Sequence, residues 1–141
     1  MINHFHGPHR FLSNFYPSEI VFEGIKYPTV EHAYQAAKTL HHSDKHVISQ
    51  LATPGKAKRV GKKLELRPDW EQIKLDVMHH LLTLKFSIPD LKQKLLETGD
   101  KELIEGNMWG DVFWGFCLKS GAGENMLGKL LMRVRKELCN A

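Results

Sequence analysis

The sequence predicts an α+β fold, mostly α-helical, in one domain over residues 1–141. Apolar residues recur at helical spacing through two long segments, Asp69 to Phe86 and Leu127 to Leu138. Short β-prone runs sit near the N-terminus, on either side of Glu23-Gly24. A stretch rich in Gly and Trp, from Gly106 to Gly123, reads as loop and short strand. No internal repeat or low-complexity linker interrupts the chain.

Taken in order, the first part up to about Tyr27 reads as short strands and turns. Ile20-Val21-Phe22 and Ile25-Lys26-Tyr27 flank Glu23-Gly24, a tight hairpin in which glycine supplies the unusual backbone angle. Thr29 offers an N-cap to a helix from Val30 through Lys38. Ser43 caps a short helix ending near Leu51, and Thr53-Pro54 starts another, proline being tolerated at the first helical position. From Asp69 to Phe86, Ile73, Val77, Leu81 and Leu84 define one buried stripe. Pro89 opens a helix carrying Leu91 and Leu95, with Gly99 as its stop. The last helix puts Leu127, Leu130, Leu131, Val134 and Leu138 on a common face.

The composition is 42% hydrophobic and 26% charged, which suits a chain that buries a core and excludes disorder. A net charge of +4 fits a protein that meets phosphates better than one that coats a duplex. Two cysteines, Cys117 and Cys139, form no CxxC pair, so a reducing, cytoplasmic setting is the expectation. No long uncharged apolar run suggests a membrane span or a signal segment.

Four segments depart from core-building. In Phe11-Leu12-Ser13-Asn14-Phe15-Tyr16-Pro17, aromatics surround an amide; this is either a packed loop or a place where Phe15 or Tyr16 stacks on a base while Asn14 meets its polar edge. Glu31, Tyr34 and Lys38 lie at i, i+3 and i+7, on one helix face. That face is either a solvated stripe or a carboxylate and an amine sharing a pocket, each shifting the other's pKa. Lys56 to Lys63 holds five basic residues in eight, a solvated face or a phosphate cradle to which Gly61 gives close backbone approach. Asn107-Met108-Trp109-Gly110-Asp111-Val112-Phe113-Trp114-Gly115 reads best as a stacking wall with a fixed carboxylate, the competing account being a structural Trp pair. Nine histidines invite a metal, yet His4, His6 and His9 lack a closed-site spacing, and His41-His42 and His79-His80 are adjacent pairs that diverge on a helix. No metal and no cofactor are expected.

Together these segments resemble the NADAR family. The resemblance runs from Phe11 to Leu138 through Leu12-Ser13-Asn14-Phe15-Tyr16-Pro17, then Tyr27-Pro28-Thr29-Val30-Glu31-His32-Ala33-Tyr34-Gln35-Ala36 with Lys38. It continues through Trp70, Val77-Met78, Lys85-Phe86, Asp111, Trp114-Gly115, Asn125, Leu127-Gly128, Leu131-Met132 and Val134-Arg135. It implies a compact, mostly helical, YbiA-like domain and an enzyme that hydrolyses N-glycosidic bonds. Two substrate classes come with it: ADP-ribosylated guanine in nucleic acid, reversing a DNA-targeting toxin, and ribosylamino-pyrimidine phosphates of riboflavin biosynthesis. The first implies genetic pairing with a DNA ADP-ribosyltransferase toxin. One departure is visible: where the family reads Trp-Gly-x-Gly, this chain has Phe116-Cys117 after Trp114-Gly115, which implies a bulkier loop.

The resulting expectation names Glu31, Lys38 and Asp111 as catalytic. Glu31 and Asp111 share acid–base work, or Lys38 exchanges onto the anomeric carbon as a Schiff base. Asn14, Phe15, Tyr16, Tyr34, Trp70, Trp109, Trp114 and Gly115 are expected to line the substrate, with Lys56, Lys58 and Arg59 on its phosphates. A non-catalytic ADP-ribose or nucleotide-binding module and a general nucleic-acid binder are the competing classes, the latter marked by steep salt dependence.

Overall fold

The computed structural model describes residues 1–141, which form two compact units. An inserted unit spans Asn14–Lys85, and a terminal unit joins Met1–Ser13 to Phe86–Ala141.

In the inserted unit, β1 (Ile20–Phe22) and β2 (Ile25–Tyr27) pair antiparallel with Ile20 opposite Tyr27. Their two-residue turn has Glu23 at φ 50° and Gly24 at φ 81°. Both positive angles are what a type I′ turn needs to match strand twist. The hairpin leads into α1 (Val30–Ala37), whose first turn is closed by the Thr29 hydroxyl accepting the His32 N–H at 3.1 Å. Eight residues are too few to hold a helix in water. Here α2 (His42–Ser49), α3 (Pro54–Gly61) and α4 (Trp70–Lys85) pack around α1, and all eight of its residues are buried.

His32 shows how a polar group is accommodated there. The Thr29 hydroxyl lies 2.7 Å from its Nδ1 and the Leu51 carbonyl 3.0 Å from its Nε2. That set is satisfied by a neutral ring donating from Nε2 and accepting at Nδ1. Burial lowers its pKa, with the Leu51 carbonyl pulling the other way. The unfolded chain therefore takes up this proton first as pH falls. Stability should decline as pH drops below about 6.5, and a His32→Gln variant should lack that component in a thermal-melt pH series.

Two expectations need correction in this unit. The N-cap of α2 is His41, with no side-chain hydrogen bond, and Ser43 sits inside the first turn. On α4 the buried face is Trp70, Met78, Leu81, Leu82 and Lys85, while Ile73, Val77 and Leu84 are half-buried. The apolar arc of α4 is wider than one stripe, so periodicity does not choose its centre. Trp70 does, by tilting against Tyr34 with ring centroids 5.2 Å apart. For α3 the expected cap holds, Thr53 accepting the Lys56 N–H at 3.1 Å with Pro54 following.

In the terminal unit, Gly7–Leu12 forms a 3-10 helix where strands and turns were expected. Pro8 at its start lacks an N–H that a first turn leaves unused, and Phe11 and Leu12 are buried. This helix packs on α5 (Pro89–Glu97), which also meets α6 (Met126–Cys139). Gly99, at φ +65°, ends the α5 segment as expected. The apolar face of α6 is buried through Leu127, Leu130, Leu131 and Val134, with Leu138 half-buried in the last turn. β3 (Gly106–Asn107) and β4 (Phe116–Cys117) form a two-residue parallel pair that holds the ends of the Trp-rich loop. No helix is long and apolar enough to cross a membrane.

Candidate functional site

In the inserted unit the chemistry gathers on α1. The Glu31 N–H donates to the Asn14 carbonyl at 3.1 Å, which ties the Asn14 segment to the first turn of the helix. Glu31 is buried, and its Oε2 accepts a 2.5 Å hydrogen bond from Gln35 Nε2. Tyr34 is buried against Trp70, and the Lys38 Nζ stands 5.5 Å from the centre of the Tyr34 ring. The face that reads as either solvated stripe or shared pocket is therefore an enclosed one at Glu31 and Tyr34, opening at half-buried Lys38.

Lys38 is electrostatically prepared. Burial lowers its pKa, the Glu31 carboxylate raises it, and Lys58, Lys62 and Lys74 lower it further. The net direction is down, which enlarges the neutral fraction that an amine nucleophile requires. Of the predicted phosphate residues, Lys58 acts on this amine, and all three of Lys56, Lys58 and Arg59 are exposed. Lys62, from the same basic run, and Lys74, which nothing in the sequence marks, act on it as well. Gly61 allows close approach, as expected, but of a side chain: a Cβ there would collide with Gln35 Oε1. That buried oxygen has no hydrogen-bond partner in the protein.

Asn14 has a similar feature. Its Nδ2 faces the Met78 sulfur at 3.6 Å, and its buried Oδ1 has no partner, leaving an acceptor of the kind a base edge can use. Phe15, next to Asn14 in sequence, is 42% exposed. Tyr16 is half-buried, with Lys85 Nζ 5.8 Å from its ring centre. Lys85 is fully buried, and desolvation pushes its amine down to about 7. A lysine on the apolar track of Met78, Leu81 and Leu82 is the signal that marks it in sequence.

The Trp-rich loop belongs to the terminal unit. Asn107, buried, organises it: Oδ1 accepts the N–H groups of Trp109 (3.3 Å) and Asp111 (3.1 Å), and Nδ2 donates to Glu105 Oε2 (3.1 Å) and the Asp111 carbonyl (3.0 Å). Asp111 Oδ1 accepts from the backbone of Phe113 (3.2 Å) and Trp114 (3.0 Å). The carboxylate is fixed, as expected, by closing its own turn. Trp114 is half-buried and meets Phe113 edge-on with centroids 4.9 Å apart, while Trp109 is 63% exposed. Gly115 makes room for Glu105 and Asn107, because a Cβ would strike both. Its requirement is thus accounted for by packing and not by a ligand. Cys117, at the departing position, is buried in β4 and bridges to Ala122. His4 packs against His6 and His9 at 5.2 and 5.5 Å between ring centroids.

Residues 2–139 match the NADAR domain family. An N-glycosidase of Nostoc punctiforme is 40% identical over 139 residues, spanning 94% of this chain and 88% of the relative. A riboflavin biosynthesis protein of Vibrio vulnificus is 38% identical over 133 residues, 92% of this chain, which spans 36% of that longer protein. The N-glycosidase YbiA of Escherichia coli is 36% identical over 129 residues, 89% of this chain and 79% of the relative. Its NMR structure superposes with a TM-score of 0.86 at 32% identity, covering 99% of this chain and 88% of that one.

Proposed function

The chain belongs to the NADAR family, and from that membership we propose that it is an N-glycosidase hydrolysing the bond between a ribose anomeric carbon and an amino nitrogen on a guanine-like base. The observation that carries the reading is the α1 face, where a buried carboxylate, Glu31, acts on a half-buried amine of lowered pKa, Lys38.

A ribosylamine opens by breaking its C1–O4 bond as O4 takes a proton and the nitrogen lone pair forms a C1=N iminium. Neutral Lys38 adds to C1, and a proton passes from its nitrogen to the base nitrogen. The base leaves as a neutral amine, and Lys38 remains bonded to C1 as an iminium. Water adds to C1, the C1–Nζ bond breaks, and the sugar aldehyde and free amine are regenerated. Glu31 moves the protons in these steps, and the Tyr34 and Trp70 rings confine the amine. In the alternative acid–base route Glu31 moves the protons while Lys38 stays charged. The lowered pKa of Lys38 favours the covalent route.

Two substrates contain this bond. The riboflavin-biosynthesis relative supports a phosphorylated ribosylamino-pyrimidine. ADP-ribosylated guanine in nucleic acid is favoured by a separate observation, the exposed Trp109 of the Trp-rich loop, an aromatic side chain of the kind that stacks on unpaired bases. On this second reading the chain acts as an antitoxin opposite a DNA ADP-ribosyltransferase.

Incubation with a guanine-ADP-ribosylated oligonucleotide and, separately, with a ribosylamino-pyrimidine phosphate tests the assignment, with release of free sugar phosphate read by mass spectrometry. Release from either, lost in Glu31→Gln and Lys38→Met, is the expected result. No release from both, with folded protein, would contradict it.

A further inference from the structure

We propose that Lys58, Lys62 and Lys74 form an anion site beside Lys38 that takes the phosphate carried on C5 of the substrate ribose; this rests on the N-glycosidase reading.

The placement follows from packing. Lys58 on α3 and Lys62, its C-cap residue in helical conformation, are i and i+4, so they share a face. Gly61, between them in sequence, seats against Gln35 of α1, and Lys38 follows Gln35 by three residues on the same helix side. Lys74 is one turn along α4 from Trp70, and Trp70 lies on Tyr34, whose ring in turn faces the Lys38 amine. The packing of α3 and α4 on α1 thus brings the segments that carry these lysines beside the one that carries Lys38.

Within the Lys56–Lys63 run, Lys58 and Lys62 lower the Lys38 pKa. The Lys74 side chain is 20% exposed, low for a lysine, and pairs with Glu71 at 2.9 Å, whose own side chain is 72% exposed. Within this cluster two carboxylates, Glu31 and Glu71, face four amines. Like charges held together raise one another's cost of ionisation, and a dianion relieves it. Lysine ammonium groups bind phosphate oxygens as mobile point charges. In the free protein, burial first and these three cations after it lower the Lys38 pKa.

A C5 phosphate is common to a ribosylamine monophosphate and to the diphosphate of ADP-ribose. Calorimetric titration of the full chain with ribose, ribose 5-phosphate and ADP-ribose separates these. Ribose 5-phosphate should bind at least about tenfold more tightly than ribose, and Lys62→Gln and Lys74→Gln should each cost about tenfold for phosphorylated ligands. Both variants should leave ribose affinity unchanged, and Lys101→Gln, in the terminal unit, should change nothing. Preference for ribose 5-phosphate points to the metabolite and preference for ADP-ribose to the nucleic-acid adduct; either supports the site. Equal affinity for ribose and ribose 5-phosphate, or phosphate affinity unchanged in a folded Lys62→Gln/Lys74→Gln double variant, would overturn it. None of the three ligands carries the ribose–guanine-like base bond that is cut, so their binding needs no turnover. Phosphate selectivity without hydrolysis of any ribosylamine would keep the anion site and remove the N-glycosidase reading, and hydrolysis indifferent to phosphate would do the reverse.

Discussion

Glu31→Gln should lower kcat by about 100- to 10,000-fold, the range spanned by a positioned acid or base, with little change in thermal stability. The amide keeps an oxygen to accept from Gln35 Nε2, so the buried hydrogen bond of the native pair survives while the charge and its proton traffic are lost. Glu31→Ala differs in kind. It leaves the Gln35 amide buried without this acceptor, which costs about 1–3 kcal/mol, and Gln35 Oε1 already has no partner. Comparing the two variants by melting and by kcat separates chemistry from structure. Loss of turnover in the Gln variant at an unchanged melting temperature is the expected pattern, and full turnover would remove Glu31 from the mechanism.

Replacing Lys38 should be at least as severe. Lys38→Met removes the amine and Lys38→Arg substitutes a guanidinium that stays protonated, so both should reduce kcat by about 1,000-fold or more. The wild-type rate should rise with pH through the Lys38 pKa, because only the neutral amine attacks, and that limb should lie below the usual 10.5. Its position follows from the neighbours. Removing a cation with Lys62→Met should move the limb to higher pH, since Lys62 lowers the Lys38 pKa. Glu31→Gln, which removes the one charge that raises it, should move the residual limb to lower pH. A pH–rate series on the three proteins checks both signs. A limb that stays in place in both variants would mean that another group titrates there, with Lys85, pushed down to about 7, the foremost candidate.

What was legible in sequence and what was not divides along a physical line. Thr29, Thr53, Pro54 and the Glu23-Gly24 turn are local signals, each satisfied by atoms within a few residues, and each appears where it was read. The α1 face was legible as a spacing, because Glu31, Tyr34 and Lys38 share one helix side whatever surrounds them. Its surroundings were not. Gln35 meets Gly61, and Lys38 feels Lys62 and Lys74, through packing of helices distant in sequence. Lys85 carries part of the resemblance but is not among the expected site residues; lysine ordinarily marks a solvated face, and its full burial is a tertiary fact. The rotation of α4 was misread because seven apolar residues between Ile73 and Leu84 offer more than one stripe. In the loop, composition pointed correctly to a fixed aspartate, but the fixing is local: the Asp111 carboxylate binds the turn that carries Trp114.

The most direct test of the account is borohydride trapping during turnover of a ribosylamine substrate, followed by peptide mapping. The account predicts a reduced ribosyl adduct on Lys38, absent without substrate and absent in Lys38→Met. Active hydrolysis with no adduct, or an adduct on Lys85 with Lys38 unmodified, would contradict it.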